Sequence, residues 1–493
     1  MLLAHYPRIN RIFAPSKNAV YMKVIGRDSE NAKLKSWYNS GKAEFIAIYG
    51  RRRVGKTYLV NTFFDNKFTF DATGIIGGSR TEELDAFYSA LVEYGYIGSL
   101  PKTWMEAFEA LKGLLNAKIV KGKRAVVFID ELPCLSTPKS DFVKALDYFW
   151  NKWGSRQKEL MLIVCGSATS WIVRNIIDNK GGLHNRITHE MHLFPFHLKE
   201  TKEFLLASKF KWNDITILQA YMVLGGIPYY LGLLDPALSL SDNIDALFFS
   251  EGAQLRGEYE RLYKSLFKSP ERYKAIIKLL SATKKGLTRK EIAEKLKVPN
   301  NGHLSDVIED LVNCDFIRHY NVLGKSVRSN GGLYQLVDFF SLFHASFIKN
   351  KNNDPHFWQH TLNTPAQNNW YGLTYEKVAM AHIPQIIRAI GMDRILTEYY
   401  SWRSQVSEPG AQIDLIIDRA DGFLNLCEIK YAKGDYALTK AEVEKIDNRV
   451  SAFQRETGTN KNVLVTLITV KPVKENAWAD SVNSFVTLSD LLG

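Results

Sequence analysis

The stretch "AEFIAIYGRRRVGKTYLV", residues 43–60, decides the fold of the first half of the chain. Its apolar beginning predicts a buried strand. The loop Gly50-x-x-x-x-Gly55-Lys56-Thr57 follows, and a helical run comes next. In this order of strand, glycine loop and helix, backbone N–H groups and the positive end of the helix bind phosphate. The pattern predicts an α/β P-loop domain that binds ATP.

Two strand ends supply the residues expected to act on the nucleotide. The Lys56 ammonium is expected to contact the β- and γ-phosphates, and the Thr57 hydroxyl is expected to ligate Mg²⁺. A second apolar strand, "AVVFIDEL" at 125–132, ends in Asp130-Glu131. Asp130 is expected to hold the water shell of Mg²⁺, and Glu131 is expected to polarise the attacking water. The predicted nucleotide-binding loop comprises Gly50, Arg51, Arg52, Arg53, Val54, Gly55, Lys56, Thr57 and Tyr58.

Five segments of the first half carry a family resemblance. They are "VIGRDSE" at 24–30, "GRRRVGKT" at 50–57, "VVFIDE" at 126–131, "CGSATSWI" at 165–172 and "GGIPYYL" at 225–231. Together with the segment around Arg186, they resemble the archaeal-type ATPases of the AAA+/STAND assemblage. The resemblance covers about residues 22–235 and implies an AAA+-like core followed by a helical lid.

The resemblance also implies roles for individual residues. Ser167 stands where these ATPases keep a polar sensor of the γ-phosphate, and Arg186 stands at the position of an arginine finger. Val24, Ile25 and Pro228 are implied to lie beside the adenine. Simpler interpretations stay open, namely a Gly-Ser turn or helix cap, an ordinary surface arginine and a helix-breaking turn. Because this class commonly builds its active site between subunits, the resemblance implies a homo-oligomer, with the arginine acting within one chain or across a contact.

A different pattern begins near residue 271. Three short amphipathic helices precede a glycine-rich hairpin, an order that resembles a winged helix-turn-helix domain. Such a domain either docks a helix in the DNA major groove or closes as a lid on the nucleotide domain, and both interpretations remain open. The third helix turns acidic at Glu309-Asp310, which suits base recognition poorly. The basic residues expected to contact DNA phosphates are Lys284, Lys285, Arg289 and Lys290.

Charged residues interrupt two apolar strands near the end of the chain. The runs "AQIDLIID" at 411–418 and "FLNLCEIK" at 423–430 flank an Asp-Gly turn and predict a hairpin. Asp414 lies on the first strand, and Glu428 and Lys430 lie on the second. A buried charge is costly unless it is paired, bound to a metal or used in chemistry.

An acidic residue upstream completes a second resemblance. A helical run at 373–390 carries Glu376 on the same apolar stripe as Ala379, Ile383 and Ile387. An acidic side chain on an apolar helix face requires an explanation. A helix Glu, a strand Asp and a strand Glu-x-Lys resemble the PD-(D/E)xK nuclease core, although the residue before the Asp is not Pro.

This second resemblance implies a Mg²⁺-dependent phosphodiesterase. Asp414, Glu428 and the Ile429 carbonyl are implied to ligate Mg²⁺. Lys430 is implied to orient the nucleophile or stabilise the transition state, and Glu376 to hold a water or a second ion. The alternative interpretation is a Glu–Lys ion pair at a strand end.

Length and pattern predict several domains in the 493 residues. The predicted divisions are an N-terminal extension at 1–21, a P-loop ATPase core at 22–199, a helical lid at 200–268, a winged helix-turn-helix at 269–340, a linker at 341–369 and an α/β restriction-endonuclease-like domain at 370–493.

The composition limits the kinds of partner and the location that are expected for this protein. A net charge of +12 favours DNA, although a generic basic surface is the alternative. Four cysteines lie among apolar neighbours without metal-binding spacing, which predicts reduced core residues in a cytoplasmic protein. The sequence shows neither a continuous apolar stretch long enough for a membrane span nor a secretory pattern at its start.

The combined prediction is an ATP-dependent or ATP-gated DNA nuclease that uses ATP and Mg²⁺. The rival prediction, from a different class, is a nucleotide-switched DNA- or protein-binding regulator whose nuclease-like domain is catalytically silent.

Overall fold

Five parallel strands form the sheet of the first half of the chain. They are β1 (Glu44–Tyr49), β2 (Phe70–Thr73), β3 (Ala125–Asp130), β4 (Leu160–Gly166) and β5 (His189–His192). Their order in the sheet is β2-β3-β4-β1-β5, and all neighbouring strands are parallel. Because the carboxyl ends of parallel strands meet at one edge, the loops that follow β3, β4 and β1 lie side by side there.

This arrangement comes from a computed structural model that describes residues 24–178, 186–283, 286–321, 332–348, 354–404, 406 and 411–493. The chain divides into two compact units, Met1–Pro195 and Phe196–Gly493. The predicted N-terminal extension at 1–21 lies outside the described residues, as do Lys284 and Lys285.

Helices cover the sheet of the first unit. Three of its helices, Arg80–Glu93, Trp104–Lys118 and Phe142–Lys152, pack their aromatic residues on the face of the sheet that presents Phe45 and Val127. At the centre of this core, the rings of Trp104 and Phe142 meet edge to face with centroids 4.8 Å apart. The helices are α1 (Asp28–Tyr38), α2 (Lys56–Phe63), α3 (Arg80–Glu93), α4 (Trp104–Lys118), α5 (Leu132–Leu135), α6 (Phe142–Lys152) and α7 (Thr169–Ile172), with a 3₁₀ turn at Gly154–Arg156 and a π turn at Val173–Ile177.

The second unit begins with short helices. They are α8 (Leu198–Ala207), α9 (Asp214–Leu224), α10 (Pro228–Leu231), α11 (Leu240–Ile244), continued by a π turn at Asp245–Phe249, and α12 (Glu258–Leu266). The turn between α9 and α10 contains two glycines with positive φ, Gly225 at 69° and Gly226 at 64°. A Cβ on Gly226 would lie 2.1 Å from the Phe196 carbonyl oxygen, so only glycine fits there.

Three helices and a hairpin occupy the middle of the second unit. They are α13 (Pro270–Ser281), α14 (Arg289–Leu296), α15 (Gly302–Asn313), β6 (Ile317–Tyr320) and β7 (Leu333–Leu336). The two strands are antiparallel, and Leu287 adds a further antiparallel bridge to Tyr334. Thr288 caps α14 through a capping box with Glu291, as the cap residue in the sequence predicts.

A mixed five-stranded sheet forms the last part of the chain. Its strands are β8 (Thr397–Arg403), β9 (Gln412–Arg419), β10 (Phe423–Lys430), β11 (Asn462–Thr469) and β12 (Ser484–Val486), in the order β12-β11-β10-β9-β8. The first three strands are antiparallel neighbours, whereas β11 runs parallel to β10 after the helix α20 (Lys440–Thr457). The predicted hairpin is confirmed, with Gly422 at φ 89° in its turn.

The helical run predicted at 373–390 is wrong as one helix. The chain forms α18 (Pro365–Ala381) and α19 (Ile383–Ala389), separated at His382. Pro384 explains the break, because a proline lacks the N–H for the helical ladder and collides with the preceding turn. The stripe proposed for Glu376 therefore does not continue through Ile383 on a single helix.

The segment predicted as a linker at 341–369 also has structure. It contains the end of α16 (Phe339–Phe343), a π turn at His344–Ile348, α17 (Phe357–His360) and the start of α18. Trp358 is buried within it, and its ring packs edge to face on Trp370 with centroids 5.9 Å apart. The polar residues around Trp358 in the sequence favour a linker, and they give no sign that this tryptophan is buried. The unit ends with a 3₁₀ turn at Ala479–Ser481 and α21 (Leu488–Leu491).

Two hydrogen bonds join the short helices of the second unit to its C-terminal part. The Leu198 N–H, at the start of α8, donates to Nε2 of the buried His382 at 3.1 Å. The Gln219 side chain, on α9, donates to the Tyr431 hydroxyl at 3.0 Å, one residue beyond β10. The first and last segments of this unit therefore share an interior. No helix within the described ranges combines the length and apolar character that crossing a membrane requires.

Candidate functional site

The loop after β1 surrounds the ammonium of Lys56. This side chain is only 6% exposed, and its Nζ donates to the carbonyl oxygens of Gly50 at 2.7 Å and Arg51 at 3.0 Å. Gly50 has φ 142°, and a Cβ there would lie 2.3 Å from the Leu193 carbonyl oxygen, so the loop requires glycine at its start. Gly55, at φ 92°, begins α2. The loop thus presents a cation and a helix N-terminus together, as phosphate binding requires.

The rest of the predicted loop surrounds this centre. Arg51 is buried, Arg52, Arg53 and Tyr58 are half-buried, and Arg53 has φ 75°. The Val54 carbonyl accepts a hydrogen bond from Nη2 of Arg27 at 3.0 Å.

Arg27 anchors the segment that the sequence predicts beside the adenine. Val24 is buried and Ile25 is half-buried, and Gly26 turns the chain at φ 68° before the arginine reaches the loop. The prediction did not include Arg27, although a basic residue directly after the glycine of "VIGRDSE" was its visible signal.

The Asp130 carboxylate, at the end of β3, accepts hydrogen bonds from three residues. One carboxylate oxygen accepts from the Thr57 hydroxyl at 2.6 Å. The other accepts from the Glu131 N–H at 2.7 Å and lies 2.6 Å from the Cys165 sulfur. Burial raises the pKa of this thiol, with the nearby Asp130 adding to the effect, so Cys165 stays protonated and donates. A carboxylate beside a hydroxyl is the oxygen donor set that Mg²⁺ prefers, so Thr57 and Asp130 fit this ion.

Glu131 projects from a left-handed backbone position beside this carboxylate. Its φ and ψ are 44° and 45°, a conformation rare for residues other than glycine and common at functional sites. The Ser167 hydroxyl lies 2.8 Å and 2.9 Å from the two carboxylate oxygens of Glu131. The Ser167 N–H donates to the same group at 3.2 Å. The structure therefore brings the predicted water-polarising acid and the predicted sensor into direct contact.

Two further predicted residues are Arg186 and Pro228. Arg186 is exposed just before β5, and its positive charge favours the ionised form of Asp147 on α6, whose pKa burial raises. Pro228 begins α10 in the second unit. The geometry at Pro228 is that of a helix-starting turn, and its role beside adenine stays a prediction.

Asp414 and Glu428 lie on the adjacent strands β9 and β10. The register of these two strands ends at the pair Cys427 and Leu415. At this point the pairing of β8 with β9 shifts, and two residues of β9, Asp414 and Leu415, lie opposite one residue of β8. Such a bulge interrupts the alternation of faces along β9. Both carboxylates are half-buried.

Each of these acids has a polar partner among its neighbours. Glu428 forms an ion pair with Lys430 at 2.8 Å through one oxygen, and its other oxygen pairs with Arg449 of α20. Asp414 accepts from the side-chain amide of Gln412. The Glu428–Lys430 pair is the contact that the ion-pair interpretation anticipated.

Arg449 was missed by the sequence analysis. It lies three residues after Ile446 and four before Phe453, both buried, so a basic residue beside the apolar stripe of α20 was the available signal.

Glu376 is the helix acid predicted to hold a water or a second ion. It is half-buried on α18, and among the described residues no three His, Cys, Asp or Glu side chains are grouped to hold a metal. Glu376 therefore does not complete a three-carboxylate cluster with Asp414 and Glu428. The side chain of Ile429, whose carbonyl was the third predicted ligand, is buried.

A buried cation adjoins this acid. Lys377 is 1% exposed and donates to the Leu336 carbonyl at 3.2 Å. Burial, together with the Arg318 guanidinium, lowers the pKa of Lys377 to about 7, while Glu376 and Asp414 act in the opposite direction. No local sequence pattern marks this lysine, because its partners come from distant segments.

The parallel sheet, the glycine loop and the Asp130-Glu131 pair define a P-loop nucleotide-binding fold in the first unit. Residues 25–234 match a family described as an ATPase domain predominantly from Archaea. These residues form an ATPase domain of that archaeal type, and the prediction of a P-loop ATPase is confirmed. The match runs past Pro195 into the second unit.

Two proteins and two solved structures from archaea are similar to parts of this chain. An uncharacterized protein of Methanocaldococcus jannaschii is 27% identical over 330 residues, which cover 66% of this chain and 68% of that protein. An uncharacterized ATP-binding protein of the same organism is 46% identical over 43 residues, 9% of this chain and 73% of that protein. Among solved structures, the Walker-type ATPase of Pyrococcus abyssi is 19% identical, with a TM-score of 0.47 over 68% of this chain and 99% of that one. The ORC2 protein of Aeropyrum pernix, in ADPNP–ADP complexes, is 14% identical, with a TM-score of 0.42 over 72% and 98%.

Proposed function

We propose that this protein is a metal-dependent DNA nuclease whose cleavage its ATPase domain controls. The observation that carries the proposal is the contact at the end of β10, where the Lys430 ammonium lies 2.8 Å from the Glu428 carboxylate, with Asp414 on the adjacent strand β9. Two carboxylates and a lysine are the groups that phosphodiester hydrolysis with a divalent ion uses.

The ATPase part is proposed to act through four side chains. Lys56 contacts the β- and γ-phosphates, and Thr57 and Asp130 hold Mg²⁺. When bound, the ion neutralises charge that develops on the phosphates. Glu131 accepts a proton from the attacking water, and its position is supported by the contacts with Ser167.

The nuclease part is proposed to divide its work between the acids and the lysine. Asp414 and Glu428, with the Ile429 carbonyl, hold the Mg²⁺, which supplies an activated water and screens the charge on the scissile phosphate. Lys430 stabilises the negative charge of the transition state. Glu376, on α18, holds a metal-bound water or a second ion.

The segment from α13 to β7 is proposed to be a winged helix domain. Its support is the order of three helices and a hairpin, with the bridge from Leu287 to Tyr334 as a third strand. Asp306 and Glu309 are exposed on α15, so this helix suits the DNA groove poorly. Arg289 donates to the Ser305 hydroxyl at 2.6 Å and orients the start of α14 instead. DNA affinity is therefore proposed to come from basic residues spread over the surface of a chain with net charge +12.

A homo-oligomer is proposed because Arg186 is exposed and therefore suited to reach a neighbouring subunit. Mixing Lys56→Ala with Arg186→Ala subunits tests this. Each variant alone should be inactive as an ATPase, and the mixture should recover part of the activity if the arginine acts across the contact. No recovery would assign the arginine to its own chain or to the surface.

The rival function is a nucleotide-switched regulator with a catalytically silent nuclease-like domain. The observation that favours it is the pairing of Glu428 with both Lys430 and Arg449, which satisfies this acid without a metal.

A cleavage assay separates the two functions. Linear, branched, single-stranded and supercoiled DNA are incubated with Mg²⁺, with and without ATP, and with the variants Asp414→Ala and Glu428→Ala. Asp418→Ala is the matched control, because Asp418 lies on the same strand, is half-buried and is paired with Lys461. Nuclease chemistry predicts that only Asp414→Ala and Glu428→Ala stop cutting. Unchanged cutting in both, or none by the wild-type protein on any DNA, would support the regulator.

A further inference from the structure

Glu83 is a fully buried acid in the first turn of α3, and it is not among the residues expected to act on ATP. Among the described residues, the donor to its carboxylate is the Ile75 N–H, which lies 3.0 Å and 3.2 Å from the two oxygens. Burial raises the pKa of Glu83, and the Ile75 N–H opposes this effect. Removal of a carboxylate from water is costly, and one backbone donor offsets only part of that cost. Stability alone therefore explains this acid poorly.

The donor belongs to the loop between β2 and α3, residues 74–79. Gly78 leaves room for the acid in this loop, since a Cβ there would lie 2.7 Å from Oε1 of Glu83. The side chains of Ile75 and Ile76 are exposed, so they do not hold the loop in place by packing in a core. The hydrogen bond to Glu83 therefore anchors a segment that its own apolar side chains leave unsupported.

The first residue of the same loop packs against the turn that carries Glu131. The Gly74 N–H donates to the Asp130 carbonyl at 3.0 Å, which continues the pairing of β2 with β3 past its last residue pair. A Cβ on Gly74 would lie 2.6 Å from the Glu131 carbonyl oxygen and 2.8 Å from the Cys134 Cβ. The backbone of the loop therefore lies directly against the Glu131 carbonyl, without room for a side chain between them.

Glu131 requires such support because its backbone lies in the left-handed region. A residue other than glycine keeps this conformation only where the surrounding structure holds it there. On one side of the turn, the Cys134 N–H donates to the Glu131 carbonyl at 2.9 Å. On the other side, Gly74 lies against the same carbonyl. The peptide that aims the Glu131 side chain is thus held between α5 and the loop after β2.

We infer that Glu83 is a positioning residue for ATP hydrolysis, because it holds the loop after β2 against the turn at Glu131 and so keeps that acid directed at the attacking water. The inference rests on the role proposed for Glu131. Glu83 acts through the Ile75 N–H and the backbone of Gly74 and makes no contact with ATP. Since the nucleotide is bound by the separate loop around Lys56, loss of Glu83 slows hydrolysis and leaves ATP affinity unchanged.

The test separates kcat from KM in the full chain. Steady-state phosphate release is measured over a range of ATP concentrations, and the fraction of competent protein is determined by ATP binding. Glu83→Ala removes the acceptor of the Ile75 N–H, whereas Glu83→Gln keeps an oxygen acceptor without the charge. The matched control is Asp85→Ala, which removes an exposed acid from the same helix.

A displacement of a catalytic group by about 1 Å costs up to about 100-fold in rate, so partial loosening of the turn in Glu83→Ala should lower kcat roughly tenfold. KM for ATP should stay unchanged, Glu83→Gln should restore kcat, and Asp85→Ala should match the wild-type protein. A wild-type kcat in Glu83→Ala, a change in KM alone, an equal loss in Asp85→Ala or no rescue by Glu83→Gln would overturn the inference.

A second variant covers the case in which Glu83→Ala fails to fold. Glu83→Asp keeps the charge but withdraws the carboxylate from the Ile75 N–H by the length of one methylene group. The same fall in kcat at unchanged KM is expected for Glu83→Asp. An unchanged kcat in this variant would overturn the inference.

The variant Glu131→Gln separates this inference from the role on which it rests. If Glu131→Gln hydrolyses ATP at the wild-type rate, Glu131 is not the base and both proposals fail. If Glu131→Gln is slow but Glu83→Ala is not, the role of Glu131 stands and that of Glu83 is refuted. If both are slow, the double variant should resemble Glu131→Gln, because positioning an absent base adds nothing. Additive losses would overturn the inference.

Discussion

The contact between Ser167 and Glu131 makes a quantitative prediction about ATP hydrolysis. Ser167→Ala removes the hydroxyl that lies 2.8 Å and 2.9 Å from the carboxylate oxygens. The Ser167 N–H, at 3.2 Å, remains as a second donor. The substitution therefore removes one hydrogen-bond donor of the Glu131 carboxylate and leaves the other in place.

The size of the effect follows from the strength of that contact. A hydrogen bond to a charged group contributes about 1.5–3 kcal/mol, and the remaining N–H favours the lower end of this range. Since about 1.4 kcal/mol corresponds to a factor of ten in rate, kcat for ATP should fall roughly tenfold. Glu131→Gln, which removes the base, should lower kcat by about 10²–10⁴-fold.

The double variant decides whether Ser167 acts through Glu131. If it does, Ser167→Ala should add almost nothing to Glu131→Gln, because the base that the serine positions is already gone. The assay is steady-state phosphate release at saturating ATP, with nucleotide affinity measured separately. Fully additive losses would refute the reasoning and assign Ser167 to a direct contact with the γ-phosphate.

Three further predictions concern the loop and a buried histidine. Lys56→Ala should abolish ATP turnover in the phosphate-release assay, since it removes the cation that the loop surrounds; wild-type turnover would move the active site elsewhere. Gly50→Ala should lower the melting temperature and the ATP affinity, because its Cβ would collide with a backbone oxygen. The control variant Gly113→Ala, in open space on α4, should be neutral or stabilising. Equal behaviour of the two variants would contradict the steric argument. Burial lowers the pKa of His382 to about 3, so the unfolded chain binds the extra proton between about pH 6.5 and 3, and stability should fall as the pH drops through this range. His382→Gln should flatten that fall in melting curves from pH 7 to 4, and an unchanged slope would show that other groups cause it.

Local patterns in the sequence predict much of the first unit. The strands that carry the loop and Asp130-Glu131 are continuous apolar runs, and each has the predicted place in a parallel sheet. The glycines at 50 and 55 are required by their own backbone angles, although the carbonyl that approaches Gly50 belongs to the distant Leu193. Apolar runs and backbone angles depend on neighbours within a few residues, so a sequence displays them directly.

The unpredicted features depend on partners far apart in the chain. Arg449 reaches a strand 21 residues earlier, and Lys377 donates to a carbonyl 41 residues before it. Periodicity predicts the face of a helix or strand on which a residue lies, but it does not predict which segment packs against that face. Neither partner can therefore be identified from the sequence. The break at Pro384 is different, because its signal was local and the continuous apolar pattern outweighed it.

The buried histidine between α8 and α18 has a consequence for how this protein could change over evolution. The Leu198 N–H and His382 are 184 residues apart in the chain, yet each satisfies the other in the interior. A recombination event that exchanged the chain from α18 onward would leave a polar donor of α8 buried without its acceptor. This part of the chain is therefore not an interchangeable module, and its replacement requires matching changes in α8.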